Sequence, residues 1–275
     1  MRDGTRDYGH LEDPPMRPAS VMCTLALCAF ILLSWTALST ANPGTPDQTQ
    51  GIPGTPTPDP GPESNEPSPL SASWSLTLAS RYLFQGIDYS DGNPVLNPEL
   101  DIAAGPISAK IWANHNLDRG VSDEFDFSLV HEWSAKKFSV ATGYTYLRYP
   151  HRDGWDPSQE FFVDLSREGV LNPSLSIHYD FDAGTGTYST LGLSHTISVP
   201  LGDVSFGTNL FYQANYYDIS GFPSFEGNVN FTRSFGKFQV TPSMSRFVTW
   251  ENGDFRSLNA LPAQWLFSLQ VGRGL

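Results

Sequence analysis

Glu160, Asp164, His178, Asp180 and Asp182 flank one candidate reverse turn at 168–173. Carboxylates brought together there could do one of two things. Glu160, Asp180 and Asp182 could offer hard oxygen ligands to a cation such as Ca²⁺. Alternatively, they belong to a ladder of charges that face water and pair with scattered cations. Pairing through the turn predicts Asp164 opposite His178 and Glu160 near Asp182. The ladder is the better reading, because charged residues recur on one parity of many segments. Its predicted members are Arg81, Glu99, Asp101, Lys110, Asp126, Glu132, Glu160, Asp164, His178, Asp180, Asp182 and Glu226. Hydrolytic chemistry finds less support: His131 and His195 fall on the apolar parity without a Ser or carboxylate at readable spacing. The 6 histidines contain no HExxH-type metal spacing. No catalytic residue, metal or cofactor is expected, and an enzyme is the minority reading.

The elements that carry these residues are strands. Leu175, Ile177, Tyr179 and Phe181 alternate with Ser176, His178, Asp180 and Asp182. Phe225, Val229 and Phe231 alternate in the same way with Glu226, Asn228 and Asn230, and Trp74, Leu76, Leu78, Tyr82 and Phe84 with Ser73, Ser75, Thr77, Arg81 and Gln85. Period-2 alternation is the signature of a strand with unlike surroundings on its two faces. Such segments fall near 71–85, 95–104, 108–118, 125–134, 138–148, 159–167, 174–182, 188–199, 204–216, 224–233, 238–250 and 263–273, roughly twelve in all and close to the ~9–11 residues of a tilted membrane strand. The closing stretch AQWLFSLQVGRGL puts Trp265, Phe267, Leu269 and Val271 on one parity and Gln264, Ser268 and Gln270 on the other. Lipid on one side and a polar lumen on the other would produce that pattern.

Connections sort into two kinds. Gly105-Pro106-Ile107, Ala135-Lys136-Lys137, Pro200 to Asp203 and Gly236-Lys237 are tight, while YSDGNP, RGVSDE, YPHRDGWDPS, Tyr217 to Pro223 and ENGDFRSLNALP are longer and polar. Short turns at one end and longer loops at the other are what an outer-membrane barrel shows. Trp74 and Trp133 should mark one membrane interface, and Trp250, Trp265, Tyr146 and Tyr149 the other. The expected fold is therefore all-β: a closed, antiparallel, up-and-down transmembrane β-barrel of about 12 strands over 71–275, whose last strand pairs with its first. That last strand resembles the C-terminal signal read by bacterial barrel-assembly machinery, departing from it at Arg273 and Leu275.

Ahead of the barrel, MRPASVMCTLALCAFILLSWTALSTANPG has a basic start, an apolar core and a small-residue cleavage site at Ser39-Thr40-Ala41. Residues 1–41 read as a signal peptide, with translation starting at Met16. Residues 42–70 carry a Pro every few positions and no aromatic residue, which reads as a disordered linker. The 2 cysteines, Cys23 and Cys28, both lie in the signal, so the mature chain has no disulfide or thiolate site. A net charge of −13 excludes nucleic acid as a partner, since binding it needs excess Lys and Arg. The expected surroundings are the lipid and lipopolysaccharide of a Gram-negative-type outer membrane.

The stretch LASRYLFQGIDYSDGNPVLNPELDI, residues 78–102, followed by IWANHN, resembles the opening of Gcw_chp-type bacterial proteins. Ser80-Arg81-Tyr82, Phe84, Gly86-Ile87, Asp91-Gly92, Pro94 and Trp112 carry the resemblance, and Arg is common in the pattern where this chain has Gln85. Those proteins are exported, uncharacterised and β-rich, and look like outer-membrane barrels. The resemblance implies that architecture and brings no catalytic residue.

Two function classes follow: a pore for small solutes or ions whose acidic lumen favours cations, and a non-conducting structural or surface barrel. Leu83, Trp112, Val130, Leu147, Phe162 and Phe211 fall on the inward parity and should narrow the bore.

Overall fold

The computed structural model describes residues 70–250 and 263–274. The signal and linker assigned to 1–69, and the loop at 251–262, lie outside the described residues. Among the described residues there is no helix. One antiparallel sheet contains β1 (Ser71–Ala79), β4 (Val95–Ala104), β5 (Ile107–Asn116), β6 (Val121–Ala135), β7 (Phe138–Arg148), β8 (Ser158–Arg167), β9 (Ser174–Asp180), β10 (Gly186–Val199), β11 (Gly202–Tyr216), β13 (Ser224–Phe235), β14 (Phe238–Thr249) and β15 (Ala263–Gly274). The three-residue β12 (Ile219–Gly221) is a flap on the end of β11. β2 (Leu83–Phe84) and β3 (Ile87–Asp88) form a separate two-stranded hairpin.

The twelve long strands close on themselves. β1 pairs with β4 on one side and with β15 on the other, from Ser73↔Gly274 to Ala79↔Ser268, and β10 pairs with β11. No long strand is left with an unpaired edge, which is the condition for backbone to cross hydrocarbon. All twelve overlap the segments that the alternation marked, although the first is shorter than expected and ends at Ala79.

Burial follows parity. Leu129, Phe161 and Phe267 are 57%, 55% and 53% exposed, whereas Glu160, Gln213 and Gln264 are each 2% exposed. A soluble domain would show the reverse. The apolar outside and polar inside make this a transmembrane barrel. Each carboxylate that a strand directs inward escapes the cost of meeting lipid.

Two-residue turns join β4 to β5 at Gly105-Pro106, β6 to β7 at Lys136-Lys137, β10 to β11 at Pro200-Leu201 and β13 to β14 at Gly236-Lys237. The turn between β8 and β9 is longer and is held by Arg167 N donating to Pro173 O at 3.0 Å and Gly169 N to Asn172 Oδ1 at 2.9 Å. The turn end carries guanidinium–ring stacks, Arg167 over Phe138 at 5.6 Å and Arg273 over Phe238 at 5.6 Å, beside the exposed Trp133. At the loop end, Arg246 lies 4.7 Å from the Trp265 ring. Tyr149 does not join that girdle. It lies beyond β7, buried, against Trp155 at 5.1 Å.

The largest departure from expectation is in the first segment, which does not continue past Ala79. Tyr82 and Phe84 are buried rather than lipid-facing. The chain reverses at Gln85-Gly86, with φ of 51° and 84°, values that suit a tight two-residue hairpin turn. Gly86 also sits where a Cβ would lie 2.7 Å from Ser224 Cβ, so only glycine fits against the wall.

Candidate functional site: a polar bore and an inward loop

The connection between β1 and β4, residues 80–94, folds into the bore at the loop end instead of standing over it. Its hairpin tip is held by donors from the barrel wall. Ser224 Oγ (β13) donates to Gln85 O at 2.7 Å, Gln213 Nε2 (β11) to Gln85 Oε1 at 2.8 Å, and Gln264 Nε2 (β15) to Gly86 O at 3.0 Å. Arg81 donates to Gln264 Oε1 at 3.1 Å and to Asp88 Oδ2 at 3.1 Å. Each wall donor therefore meets loop oxygen where it would otherwise need water. On the far wall the Tyr82 ring lies 5.8 Å from Trp112 (β5), and Phe84 lies 5.2 Å from Tyr188 (β10). The loop thus reaches nearly around the circumference. Tyr82, Leu83, Val95, Trp112, Phe211, Phe247 and Leu266 form one buried apolar cluster across the bore.

The rim adds a second set of ties. Arg152, in the loop between β7 and β8, donates to Tyr89 O at 3.1 Å and stacks on the rings of Tyr89 and Trp155 at 5.3 and 5.0 Å. It also lies 3.8 Å from Asp123, which Arg119 approaches to 3.0 Å. Burial pushes the hydroxyl of Tyr217, on the rim, up to about 12, with Asp180's charge acting in the same direction. The rim phenol therefore stays neutral and contributes no pH response in the physiological range.

Below the loop, side chains of β6 to β10 form a bonded row. Ser128 and Thr145 hydroxyls are 3.0 Å apart; Thr145 is opposite Glu160, and Glu160 is opposite Asp180. His178 Nδ1 lies 2.8 Å from Glu160 Oε1, and its Nε2 lies 3.1 Å from Ser176 Oγ. Tyr188 donates its hydroxyl to Glu160, 3.0 Å from each carboxylate oxygen. The imidazole is stacked 4.4 Å from the Tyr188 ring and 5.2 Å from Phe162. Phe162 can cross β7 only because Gly143 has no Cβ to meet its ring. Ser158 Oγ is 2.7 Å from both oxygens of Asp180.

The expected ladder residues fall into five groups. Lys110, Asp126, Glu160, His178, Asp180 and Glu226 are buried on inward positions of strands, and Glu99, Asp101 and Asp164 are half-buried. Glu132 is exposed near the turn end. Arg81 is in the inward loop rather than on a strand. Asp182 lies past the end of β9, exposed, and accepts from Gln159 Nε2 at 2.9 Å. The predicted pairing is corrected as well: Asp164 is opposite Ser176, and Glu160 is opposite Asp180. Glu160, Asp180 and Asp182 do not converge, and among the described residues no group of three or more His, Cys, Asp or Glu could hold a metal ion.

No family model matches the chain, and no curated protein matches it. Solved structures do. The fold is similar to the COG4313 outer membrane channel from Pseudomonas putida F1, with a TM-score of 0.44 and 9% identity over 79% of this chain and 100% of that one. It is also similar to CdiB from Acinetobacter baumannii, with a TM-score of 0.41 and 8% identity over 75% of this chain and 60% of that one. A porin aligns with a TM-score of 0.35 and 9% identity over 75% and 99% of the two chains.

Asp123 and Glu124, expected in the RGVSDE loop, are instead buried at the start of β6. Alternation marks Ser176 only as an inward residue, and Tyr188 only as the first residue of the segment at 188–199. A Ser two positions before a His on the polar parity was a visible signal for Ser176. Nothing local could have joined Glu160 to it.

Proposed function

We propose that this protein is an outer-membrane channel with an acidic, cation-favouring bore, closed down at its outer mouth by the inward loop at 80–94. The observation that carries it is the bore wall. Asp126, Glu160, Asp180 and Glu226 are buried on inward strand positions and Lys110 is the only buried inward cation among the described residues. A wall of one charge sign in a low-dielectric shell concentrates counter-ions. The turn end is the periplasmic end, since short turns occupy that side in such barrels. The resemblance of residues 78–102 to Gcw_chp-type proteins supports the same setting, with outer-membrane lipid, lipopolysaccharide and the barrel-assembly machinery as partners.

A planar bilayer holding the refolded protein between unequal KCl solutions tests the charge preference. The expected reversal potential has the sign of K⁺ selectivity and shrinks when Glu226 and Asp126 are replaced by their amides. Anion selectivity would sink this reading. The buried apolar cluster around Leu83 and Trp112 favours a second one, a non-conducting barrel. Absence of any conductance, from a protein that migrates as an assembled barrel, would favour it.

Residues 1–41 as a signal and 42–70 as a tether complete the proposal. Limited proteolysis of the exported protein is expected to cut within 42–70 and leave a resistant core beginning near Ser71. Rapid cutting throughout 71–275 in detergent would contradict a closed barrel with a free tether.

A further inference from the structure

Outside the loop contacts, one cluster has the connectivity of a nucleophile, a base and an orienting acid. Ser176 and His178 stand two positions apart on β9 and share its inward face, and Glu160 projects inward from the neighbouring β8. Two hydrogen bonds run in series: Ser176 Oγ to His178 Nε2 at 3.1 Å, and His178 Nδ1 to Glu160 Oε1 at 2.8 Å. A carboxylate can only accept, so Nδ1 carries the proton. In the neutral imidazole Nε2 is then the lone-pair nitrogen and can accept from the serine hydroxyl. That tautomer is the one a general base requires.

The imidazole is fixed on every side. Glu160 also accepts from the Tyr188 hydroxyl, and the ring is clamped between Tyr188 and Phe162. Such support is what a preorganised base has and what a charge merely facing water lacks. Thr190, buried on the inward face of β10, is directly opposite Ser176, about 5 Å away between Cβ atoms by the geometry of such pairs. Its hydroxyl can donate to an oxyanion formed at Ser176. Ser176 is itself only 3% exposed, and the half-buried inward Ser166, Ser174 and Ser194 mark the turn end as the side from which a small substrate would have to reach it.

We propose that Ser176, His178 and Glu160 form an acyl-transfer site inside the bore, acting on small esters that carry a positive charge. Ser176 Oγ attacks the acyl carbon while its proton passes to His178 Nε2. The tetrahedral oxyanion collapses, the ester C–O bond breaks, and the alcohol leaves with that proton. Water, deprotonated by the same nitrogen, then releases the acid and restores the serine. The charge preference follows from Asp164, opposite Ser176, and from Glu226 and Asp126 in the same bore. Those carboxylates repel an anionic ester and attract a cationic one. The inference does not depend on whether the bore conducts ions.

The test uses the refolded full-length protein in detergent, with phenylmethylsulfonyl fluoride as probe and peptide mass mapping as readout. A sulfonyl adduct is expected at Ser176, with a rate that follows the titration of one basic group. The rate should fall by about 100-fold or more in His178→Gln and in Glu160→Gln, and no adduct should form in Ser176→Ala, while Ser234→Ala, at an exposed serine beside the β13–β14 turn, labels normally. Acetylcholine should be hydrolysed faster than 3,3-dimethylbutyl acetate, its neutral isostere, and Thr190→Val should lower kcat more than it changes KM. Heat-modifiable migration on gels checks that each variant is assembled. No adduct at Ser176 in the wild-type protein would overturn the proposal. Equal labelling of assembled wild type and His178→Gln would do the same. Should the histidine variant not assemble, a wild-type labelling rate without pH dependence is equally decisive against it.

Discussion

Replacing Leu83–Asp88 with two glycines is expected to raise single-channel conductance several-fold and to lower thermal stability. The hairpin lies inside the bore, with Leu83 at 1% and Ile87 at 4% exposure, and it belongs to no barrel strand pairing. Removing it leaves the twelve-strand ladder intact while clearing the cross-section it fills. Its apolar side chains are each worth roughly 1.5–3 kcal/mol of burial, so the heat-unfolding midpoint should drop even as the barrel still forms. The polar ties of the tip are individually weaker, about 0.5–1.5 kcal/mol each. Gly86→Val offers a point version of the same experiment: its Cβ would lie 2.7 Å from Ser224 Cβ at a φ of 84°. That substitution should unseat the tip and increase open-state noise. Unchanged conductance from an assembled deletion variant would mean that the loop does not set the width of the bore.

The second large effect is expected at Leu193 and Ser194, adjacent residues in the middle of β10. Leu193 is 42% exposed on the outside of the barrel, whereas Ser194 is half-buried on the inside. Arginine at a midplane lipid-facing position costs roughly 2–4 kcal/mol. Leu193→Arg should therefore impair refolding into vesicles and abolish heat-modifiable migration, while Ser194→Arg, among inward carboxylates, should assemble normally. In a conducting barrel, Ser194→Arg should also weaken cation preference. Equal damage from both substitutions would fit two buried faces and contradict the membrane-spanning reading.

What the chain shows locally, it shows well. Whether Leu193 or Ser194 meets lipid is legible because neighbouring side chains on a strand point to opposite sides, and the hydrophobic pattern records the choice. The turns at Lys136-Lys137 and Gly236-Lys237, the closing strand at Trp265 and Phe267, and the number of crossings are read in the same way. Each depends on residues close together in the chain.

Register and the inward loop are different. A slip of two residues between β8 and β9 keeps every side chain on its proper face, so alternation cannot detect it. The bonded turn at Arg167, Gly169, Asn172 and Pro173 decides it, and that decision brings Glu160 rather than Asp164 to His178. Tyr82 and Phe84 likewise continue the apolar parity of β1 in the sequence, yet Gln85-Gly86 turns them inward. They are held there by Gln213, Ser224 and Gln264, supplied by strands far along the chain. Composition and period determined a barrel with a polar interior. Which groups touch inside it was decided by closure, because only closure sets residues from opposite walls within hydrogen-bonding distance.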